Sequence, residues 1–324
     1  MTAATVGTDQ VGYLSGSQLA ELATPAECVQ VLERSLREGG VDPEADSPRL
    51  FSGLGAGEFL LMPTEVGPYA GVKVVTIAPG NPAVGHPTIQ GVYALFDAEH
   101  LAPLALMDAA ELTLIRTSAT TALAVRHLLA AGDRARIGRL AVIGTGPQAV
   151  RHVRAIASVV DVDEVVVIGR RASAAAAAVD RLSAEPMQVR AGSPDELAGS
   201  DVIVCVTSSA VPVLEDAQVA PDTVVCAVGS HGLDRREIPA ALTLRSDVVV
   251  EGRASAMREG GDLIPARSVE EWSRQPPTNL AELVAGRFVR RPGHPALYSG
   301  VGMAWQDIVV AGHLFTRWRE RVSG

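Results

Sequence analysis

Three cations are isolated charges among apolar or glycine-rich neighbours. Lys73 lies in Gly71-Val72-Lys73-Val74-Val75-Thr76-Ile77, Arg116 in Leu112-Thr113-Leu114-Ile115-Arg116-Thr117-Ser118, and Arg49 follows Pro48 ahead of a glycine-rich segment. A lysine in mid-strand either snorkels out along an edge or points into a site. In a site, desolvation lowers its pKa and makes it usable in proton transfer. Arg116 either binds a substrate carboxylate through a bidentate fork or pairs with Glu111 or Asp108 as a structural ion. Arg49 reads equally as a surface residue or as a substrate clamp.

A second group of residues suits a nucleotide. Arg139 to Val150 reads RLAVIGTGPQAV, in which an apolar run, Leu140 to Ile143, meets Gly144, Gly146 and Ala149 in the spacing G-x-G-x-x-A. Such a strand–turn–helix lets a dinucleotide pyrophosphate lie against backbone N–H groups at a helix N-terminus. Glycine pairs also close ordinary turns. Here a strand pattern precedes the pair, an alanine-rich helix pattern follows, and a second apolar run, Val165-Val166-Val167-Ile168, comes next.

NAD sites place an acid at the end of that second strand. This chain has Gly169-Arg170-Arg171 there. Two guanidiniums suit a 2′-phosphate, which favours NADP(H) over NAD(H). Alternatively, Arg170 stacks on adenine, or both arginines are merely solvated. Val206-Thr207-Ser208 and Val228-Gly229-Ser230 end the third and fourth expected strands, where a doubly wound sheet lines its cofactor crevice. His231 follows at once. It is either a proton shuttle near a nicotinamide or a loop histidine bonded to backbone.

The elements that must position these residues follow from hydrophobic patterning. Residues 15 to 38 read as helical, with Ser15 as a first cap and Thr24-Pro25-Ala26-Glu27 resembling a capping box. Apolar runs at 58–63, 71–77 and 89–96, separated by turn clusters, predict an antiparallel or mixed sheet. Leu106 to Ala131 reads as one helix bridging two domains. From Arg139 onward, strands near 140–144, 165–169, 202–206, 223–228 and 247–250 alternate with helices at 147–159, 172–184 and near 194–199. That series predicts an α/β fold with a doubly wound parallel sheet. The tail from Tyr298 to Val322 begins glycine-rich, continues as an apolar helix and is expected to return to the N-terminal domain. The implied domains are 1–125 plus 300–324, and 126–299.

Composition narrows the function classes. The 324 residues are 47% hydrophobic, 20% charged and only 4% aromatic, which suits a globular core of Val, Leu, Ile and Ala. A net charge of −9 argues against nucleic acid or an anionic membrane as partner. The N-terminus lacks the basic-then-apolar pattern of a signal peptide, and no apolar stretch is long enough for a membrane span. Cys28, Cys205 and Cys226 are scattered and odd in number, so a disulfide framework or zinc site is not expected and a reduced, cytoplasmic setting is. The histidines show no paired metal spacing, and no metal is expected.

Taken together, SPRLFSGLGAGEFLLMP, the stretch from GVKVVTIAPGNPAVGHPTIQG to LTLIRTSATTALA, LAVIGTGPQAVRHVRAI, VGSHGLDRREIP and SGVGMAWQD resemble the ornithine cyclodeaminase/mu-crystallin family, in the family's order and over most of the chain. The resemblance implies a Rossmann nucleotide domain inserted into an α+β substrate and dimerisation domain, and a homodimer. It matches Arg49, Lys73 and Arg116 to substrate-binding positions, with Arg116 on the α-carboxylate and Lys73 beside the reacting carbon. It matches Thr88 to a contact of the nicotinamide half. Gly146, Pro147 and Gln148 match the phosphate turn, and Val228, Gly229 and Ser230 the segment passing the nicotinamide. Where ornithine-cyclising members carry an aspartate as proton acceptor and donor, this chain has His231.

The expectation is therefore an NAD(P)-dependent oxidoreductase. It transfers hydride between nicotinamide and the α-carbon of a small amino or imino acid, as an imine reductase or an amino-acid dehydrogenase. Lys73 is its catalytic group in this reading, with His231 assisting. An ornithine or lysine cyclodeaminase is one alternative. A crystallin-like NADP-binding protein with little catalysis is the other.

Overall fold

A computed structural model describes residues 11–229 and 232–323. By contact density the chain divides into two compact units: one runs up to Arg116 and resumes at Met303, and the other is Thr117–Gly302.

The first unit is built on a six-stranded mixed sheet. In chain order its elements are β1 (Gly12–Leu14), α1 (Gly16–Leu22), α2 (Pro25–Arg37), β2 (Leu50–Leu54), β3 (Gly57–Val66), β4 (Tyr69–Ile77), β5 (Ile89–Asp97), β6 (Pro103–Asp108) and the start of α3 (Ala109–Ala130). The sheet order is β1-β6-β5-β4-β3-β2, antiparallel except for the β1–β6 pair. Strand β4 shows the period-two logic of a sheet with one buried face. Gly71, Lys73 and Val75 are buried, and the residues between them are half-exposed.

Two local expectations need correction. Ser15 caps α1 in a capping box with Gln18, as its position suggests, but Thr24 makes no side-chain cap on α2. Pro25 already fills the first position, and Glu27 pairs instead with Arg317. The helix expected from Leu106 begins at Ala109. Leu106 and Met107 belong to β6, paired with Ala94 and Tyr93, and Asp108 Oδ1 accepts the N–H of Glu111 at 2.8 Å to open α3. Helix α3 buries Leu112, Ile115, Ala119, Ala122, Leu123, Val125 and Leu128, and with them the polar Arg116, Ser118, Thr120 and Thr121.

The second unit holds an eight-stranded, all-parallel sheet. Its elements are β7 (Arg136–Ile143), α4 (Pro147–Ala157), β8 (Asp161–Ile168), α5 (Ala172–Asp180), β9 (Gln188–Ala191), β10 (Val202–Cys205), β11 (Val224–Ala227), α6 (Ala240–Arg245), β12 (Asp247–Val250), α7 (Arg253–Glu259), α8 (Val269–Arg274), β13 (Thr278–Asn279), α9 (Leu280–Val284) and β14 (Ala296–Ser299). The order is β13-β12-β14-β11-β10-β7-β8-β9. Every residue of β10, β11, β12 and β14 is buried, as expected of strands covered on both faces. The chain leaves β7 for β8 on one side and returns to β10 on the other, so the order reverses between β7 and β10. Strands β9, β13 and β14 add to the sequence expectation. The last helix, α10 (Ala304–Ser323), belongs to the first unit and packs on β3, β4 and α2.

The fold is thus a Rossmann-type parallel sheet inserted into a mixed-sheet α+β domain. Among the described residues, no helix is long and apolar enough to cross a membrane, and no group of three or more His, Cys, Asp or Glu could hold a metal.

Candidate functional site

In the first unit, Lys73 and Arg116 converge on one carboxylate. Lys73 projects from the buried face of β4, Arg116 from α3, and Asp307 from the first turn of α10. Lys73 Nζ lies 2.9 Å from Asp307 Oδ2, and Arg116 Nε lies 3.2 Å from Oδ1. Arg116 Nη1 also donates to Gln306 Oε1 at 2.9 Å. Lys73 is 3% exposed, Arg116 5% and Asp307 0%. Of the two readings left open for Lys73, the structure excludes the first: it does not snorkel out. Arg116 is an ion-pair partner of Asp307, an acid that the sequence offers no local reason to select.

The electrostatics suit an anionic ligand. Two acids, Asp307 and Asp46, stand near three cations, Lys73, Arg116 and Arg49. Burial lowers the Lys73 pKa from 10.5 to about 8; Asp307 opposes this, while Arg116 and Arg49 push the same way as burial. Such a lysine is an ammonium near neutral pH that can give up its proton. Asp46 accepts the first N–H groups of α10, Ala304 at 3.0 Å and Trp305 at 3.1 Å, and so fixes the helix end that carries Asp307. Tyr93 stands opposite Lys73 on β5, fully buried, and its hydroxyl has no hydrogen-bond partner among the described residues. Burial and the charges of Asp307 and Asp46 keep it a neutral phenol.

In the second unit, the glycine turn sits at the point where the strand order reverses. Gly144 follows β7 with φ +138°, and a side chain there would meet the Val206 carbonyl at 2.7 Å, just beyond β10. Only glycine allows both that backbone and that approach. Gly146 is the N-cap of α4, with no side-chain cap and open space where a Cβ would stand. Pro147 is the first helical residue, and Ala149 is buried against the sheet. The Gln148 side-chain oxygen is buried without a partner among the described residues. His152 donates from Nδ1 to the Gln148 carbonyl at 2.8 Å. Burial lowers its pKa to about 4, so it is a neutral structural residue. An uncapped eleven-residue helix behind a glycine turn at a topological switch point fits a dinucleotide pyrophosphate.

The remaining sequence-selected residues distribute as follows. Arg170 and Arg171 are exposed at the end of β8, and neither guanidinium has a partner among the described residues. Thr207 lies two residues beyond β10, and Val228 and Gly229 directly beyond β11. The Thr207 hydroxyl is committed to Glu237, at 2.6 Å. Thr88 sits in the first unit before β5, its carbonyl accepting the Ala78 N–H at 2.8 Å. Arg49 is half-buried just before β2. Ser230 and His231 lie outside the described residues.

A family model for ornithine cyclodeaminase/mu-crystallin proteins matches residues 15–322. The chain belongs to that family. Among members of the ornithine cyclodeaminase/mu-crystallin family, the Delta(1)-pyrroline-2-carboxylate reductase of Bacillus cereus (strain ZK / E33L) is 32% identical over 78% of this chain and 79% of its own. The Delta(1)-pyrroline-2-carboxylate/Delta(1)-piperideine-2-carboxylate reductase of Azospirillum brasilense is 35% identical over 83% of this chain and 82% of its own. An archaeal alanine dehydrogenase dimer with bound NAD superposes with a TM-score of 0.84 at 25% identity, covering 96% of this chain and 97% of that one.

Two residues of the site escape sequence reasoning. Asp307 carries a weak signal, an acid inside Trp305-Gln306-Asp307 at the head of an apolar helix, where a helix dipole alone would account for it. Glu237 carries none, because it ends the charged run Asp234-Arg235-Arg236-Glu237, which reads as surface.

Proposed function

We propose that this protein is an NAD(P)H-dependent reductase of a small cyclic α-imino acid, of the pyrroline- or piperideine-2-carboxylate class. The observation that carries the reading is the buried Lys73–Asp307–Arg116 cluster. Its surplus positive charge suits a carboxylate, and its lysine suits a proton transfer at the adjacent nitrogen.

The turn at Gly144, Gly146, Pro147 and Gln148 holds the pyrophosphate, and the strand ends at Thr207, Val228 and Gly229 receive the nicotinamide half. When bound, the reduced cofactor supplies a hydride to the α-carbon. Arg116, with Arg49, binds the substrate carboxylate and so fixes where the α-carbon stands. Lys73 delivers the proton that the ring nitrogen takes up as the C=N π electrons settle on it, and is then reprotonated from solvent. Asp307 keeps Lys73 oriented and charged for that transfer.

NADP(H) is the preferred cofactor in this reading, supported by the exposed, unpartnered side chains of Arg170 and Arg171 at the ribose end of β8. A homodimer is supported by the exposed apolar side chains of β2 and the start of β5: Leu50, Phe51, Leu54 and Ile89. A reducing, cytoplasmic setting is supported by three buried cysteines that form no disulfide.

The test is oxidation of NADPH and NADH with pyrroline-2-carboxylate, piperideine-2-carboxylate, and pyruvate plus ammonia. Turnover with a cyclic imine, faster with NADPH, is expected. Inertness across the panel, or ammonia release from ornithine with only trace NAD, overturns the reading.

A further inference from the structure

Two parallel strands of the second unit end on one buried carboxylate. Glu237 Oε1 accepts the Thr207 N–H at 2.6 Å and the Thr207 hydroxyl at 2.6 Å, and Oε2 accepts the Gly229 N–H at 2.8 Å. Thr207 follows β10 and Gly229 follows β11, so this side chain ties together adjacent strand ends that no direct ladder joins at this level. The side chain is itself held from behind. The N–H groups of Glu237 and Ile238 donate to Asp262 Oδ1 at 2.6 and 2.9 Å. Packing at the tie leaves no slack: a Cβ on Gly229 would fall on the Thr207 backbone and stand 2.7 Å from Glu237 Oε1.

Three donors aimed at two oxygens favour the ionised carboxylate, because a proton on either oxygen competes with one of them for that oxygen's acceptor positions. Yet burial, the dominant cause, and the nearby charge of Asp262 raise this carboxyl to about pH 7 against the pull of those three hydrogen bonds. Among the described residues, Cys205 also faces it, its thiol pushed up by burial and by Glu237 and Asp262. On its own loop, Arg235 is turned to the Ser208 carbonyl, at 3.0 Å. The tie is therefore made near the edge of its protonation range, at the carboxyl ends of strands that in a doubly wound sheet line the cofactor crevice.

We infer that Glu237 is a positioning residue for the nicotinamide half of the cofactor: its ionised carboxylate holds the Thr207 and Gly229 strand ends in the shape that receives the ring, and its protonation releases them. This rests on the dinucleotide reading given above. It makes cofactor affinity depend on pH through a residue that need not touch the cofactor.

The experiment is titration of the full-length protein by calorimetry, from about pH 5.5 to about pH 8.5, with NADH, NADPH and their nicotinamide-free counterparts ADP-ribose and 2′-phospho-ADP-ribose. The readout is the ratio of each dinucleotide's affinity to its counterpart's, which cancels the titration of the 2′-phosphate at about pH 6. In the wild type, that ratio is expected to fall up to about tenfold per pH unit below the midpoint, while ADP-ribose, held at the α4 turn, stays flat over the same range. Glu237→Gln keeps an acceptor for Thr207 but sets an amide against Gly229. It is expected to weaken both dinucleotides about tenfold or more at the alkaline end, to abolish the pH dependence of the ratio, and to leave ADP-ribose unchanged. Thr207→Val, which removes one donor while keeping the backbone N–H, is a second variant should the first fail to fold. It is expected to move the midpoint to higher pH. A ratio flat with pH in the wild type, a glutamine variant with the wild-type profile, or ADP-ribose affinity that changes in parallel each overturns the inference. Wild-type protein that binds the counterparts but neither dinucleotide, or that binds none of the four, overturns the cofactor reading itself and this inference with it.

Discussion

Replacing Asp307 by asparagine tests the cluster at its centre. Asp307→Asn preserves size and one acceptor but removes the carboxylate bonded to both Lys73 and Arg116. The Lys73 pKa of about 8, against 10.5, means that its ammonium already costs roughly 3 kcal/mol in place, at about 1.4 kcal/mol per unit. Without Asp307, burial, Arg116 and Arg49 act unopposed, and the pKa falls further. Breaking a buried pair by removing one partner costs about 3–5 kcal/mol when the survivor stays charged. Lys73 escapes part of that by shedding its proton, so about 2–3 kcal/mol is expected at pH values near 6.

The sign follows from proton counting. A folded-state pKa below the unfolded value means that the folded protein binds fewer protons, so this contribution to stability rises with pH. In the wild type the window runs from about 8 to 10.5; in Asp307→Asn it opens below 8. Urea unfolding of both proteins at about pH 6, 7.5 and 9 should show the gap widest at the acid end, with a differential slope of up to about 1.4 kcal/mol per pH unit. In turnover, kcat/KM for imine reduction should fall about a hundredfold, with its alkaline limb moved to lower pH. A stability gap constant across pH, with the alkaline limb where the wild type has it, would refute the idea that Asp307 governs the charge of Lys73.

Three further outcomes are expected. Arg170→Ala combined with Arg171→Ala should raise the NADPH dissociation constant about 10- to 100-fold while changing that of NADH less than about twofold; equal losses for both would remove the 2′-phosphate assignment. Gly229→Ala should destabilise the protein by about 1–3 kcal/mol in a denaturant titration, because the added carbon overlaps the Thr207 backbone; a stability change within about 0.5 kcal/mol would show that the two strand ends are not tightly packed. Phe51→Glu places a charge on the exposed apolar edge at β2 and should convert a dimer to monomer by light scattering; an unchanged dimer would place the interface elsewhere.

Most of the parallel sheet is legible in the sequence because strands buried on both faces must be written as unbroken apolar runs. Val202-Ile203-Val204-Cys205, Val224-Val225-Cys226-Ala227 and Val165-Val166-Val167-Ile168 need no context to be recognised. Strand β14 is buried just as deeply, but Pro295 before Ala296 and Gly300 after Ser299 make it read as loop. Strand β9, Gln188–Ala191, has no fully buried residue and so carries no run to detect. Leu106 and Met107 read as helix for the opposite reason: an apolar strand running straight into a helix has no punctuation between the two periods, and Asp108 supplies the boundary only through its bond to Glu111.

The site is legible on its cationic side alone, and the reason is electrostatic. An anionic substrate directs attention to Lys73, Arg116 and Arg49, which are unusual in apolar segments. A buried cation, however, is stable only with a counter-charge, and nothing requires that charge to be near in sequence. Asp307 lies 234 positions from Lys73 and is delivered by a helix that returns to the first unit after the whole inserted sheet. Glu237 is the same case with neutral partners: three donors at two strand ends require an acceptor, and the chain supplies it from a charged run that looks like surface. Once a lysine is placed in a strand interior, electroneutrality demands an acid on whatever packs over that strand. In this chain the C-terminal helix has Asp307 in its buried first turn, while Glu320, near its other end, is exposed. The cation thus implies its partner, provided the returning helix is recognised first.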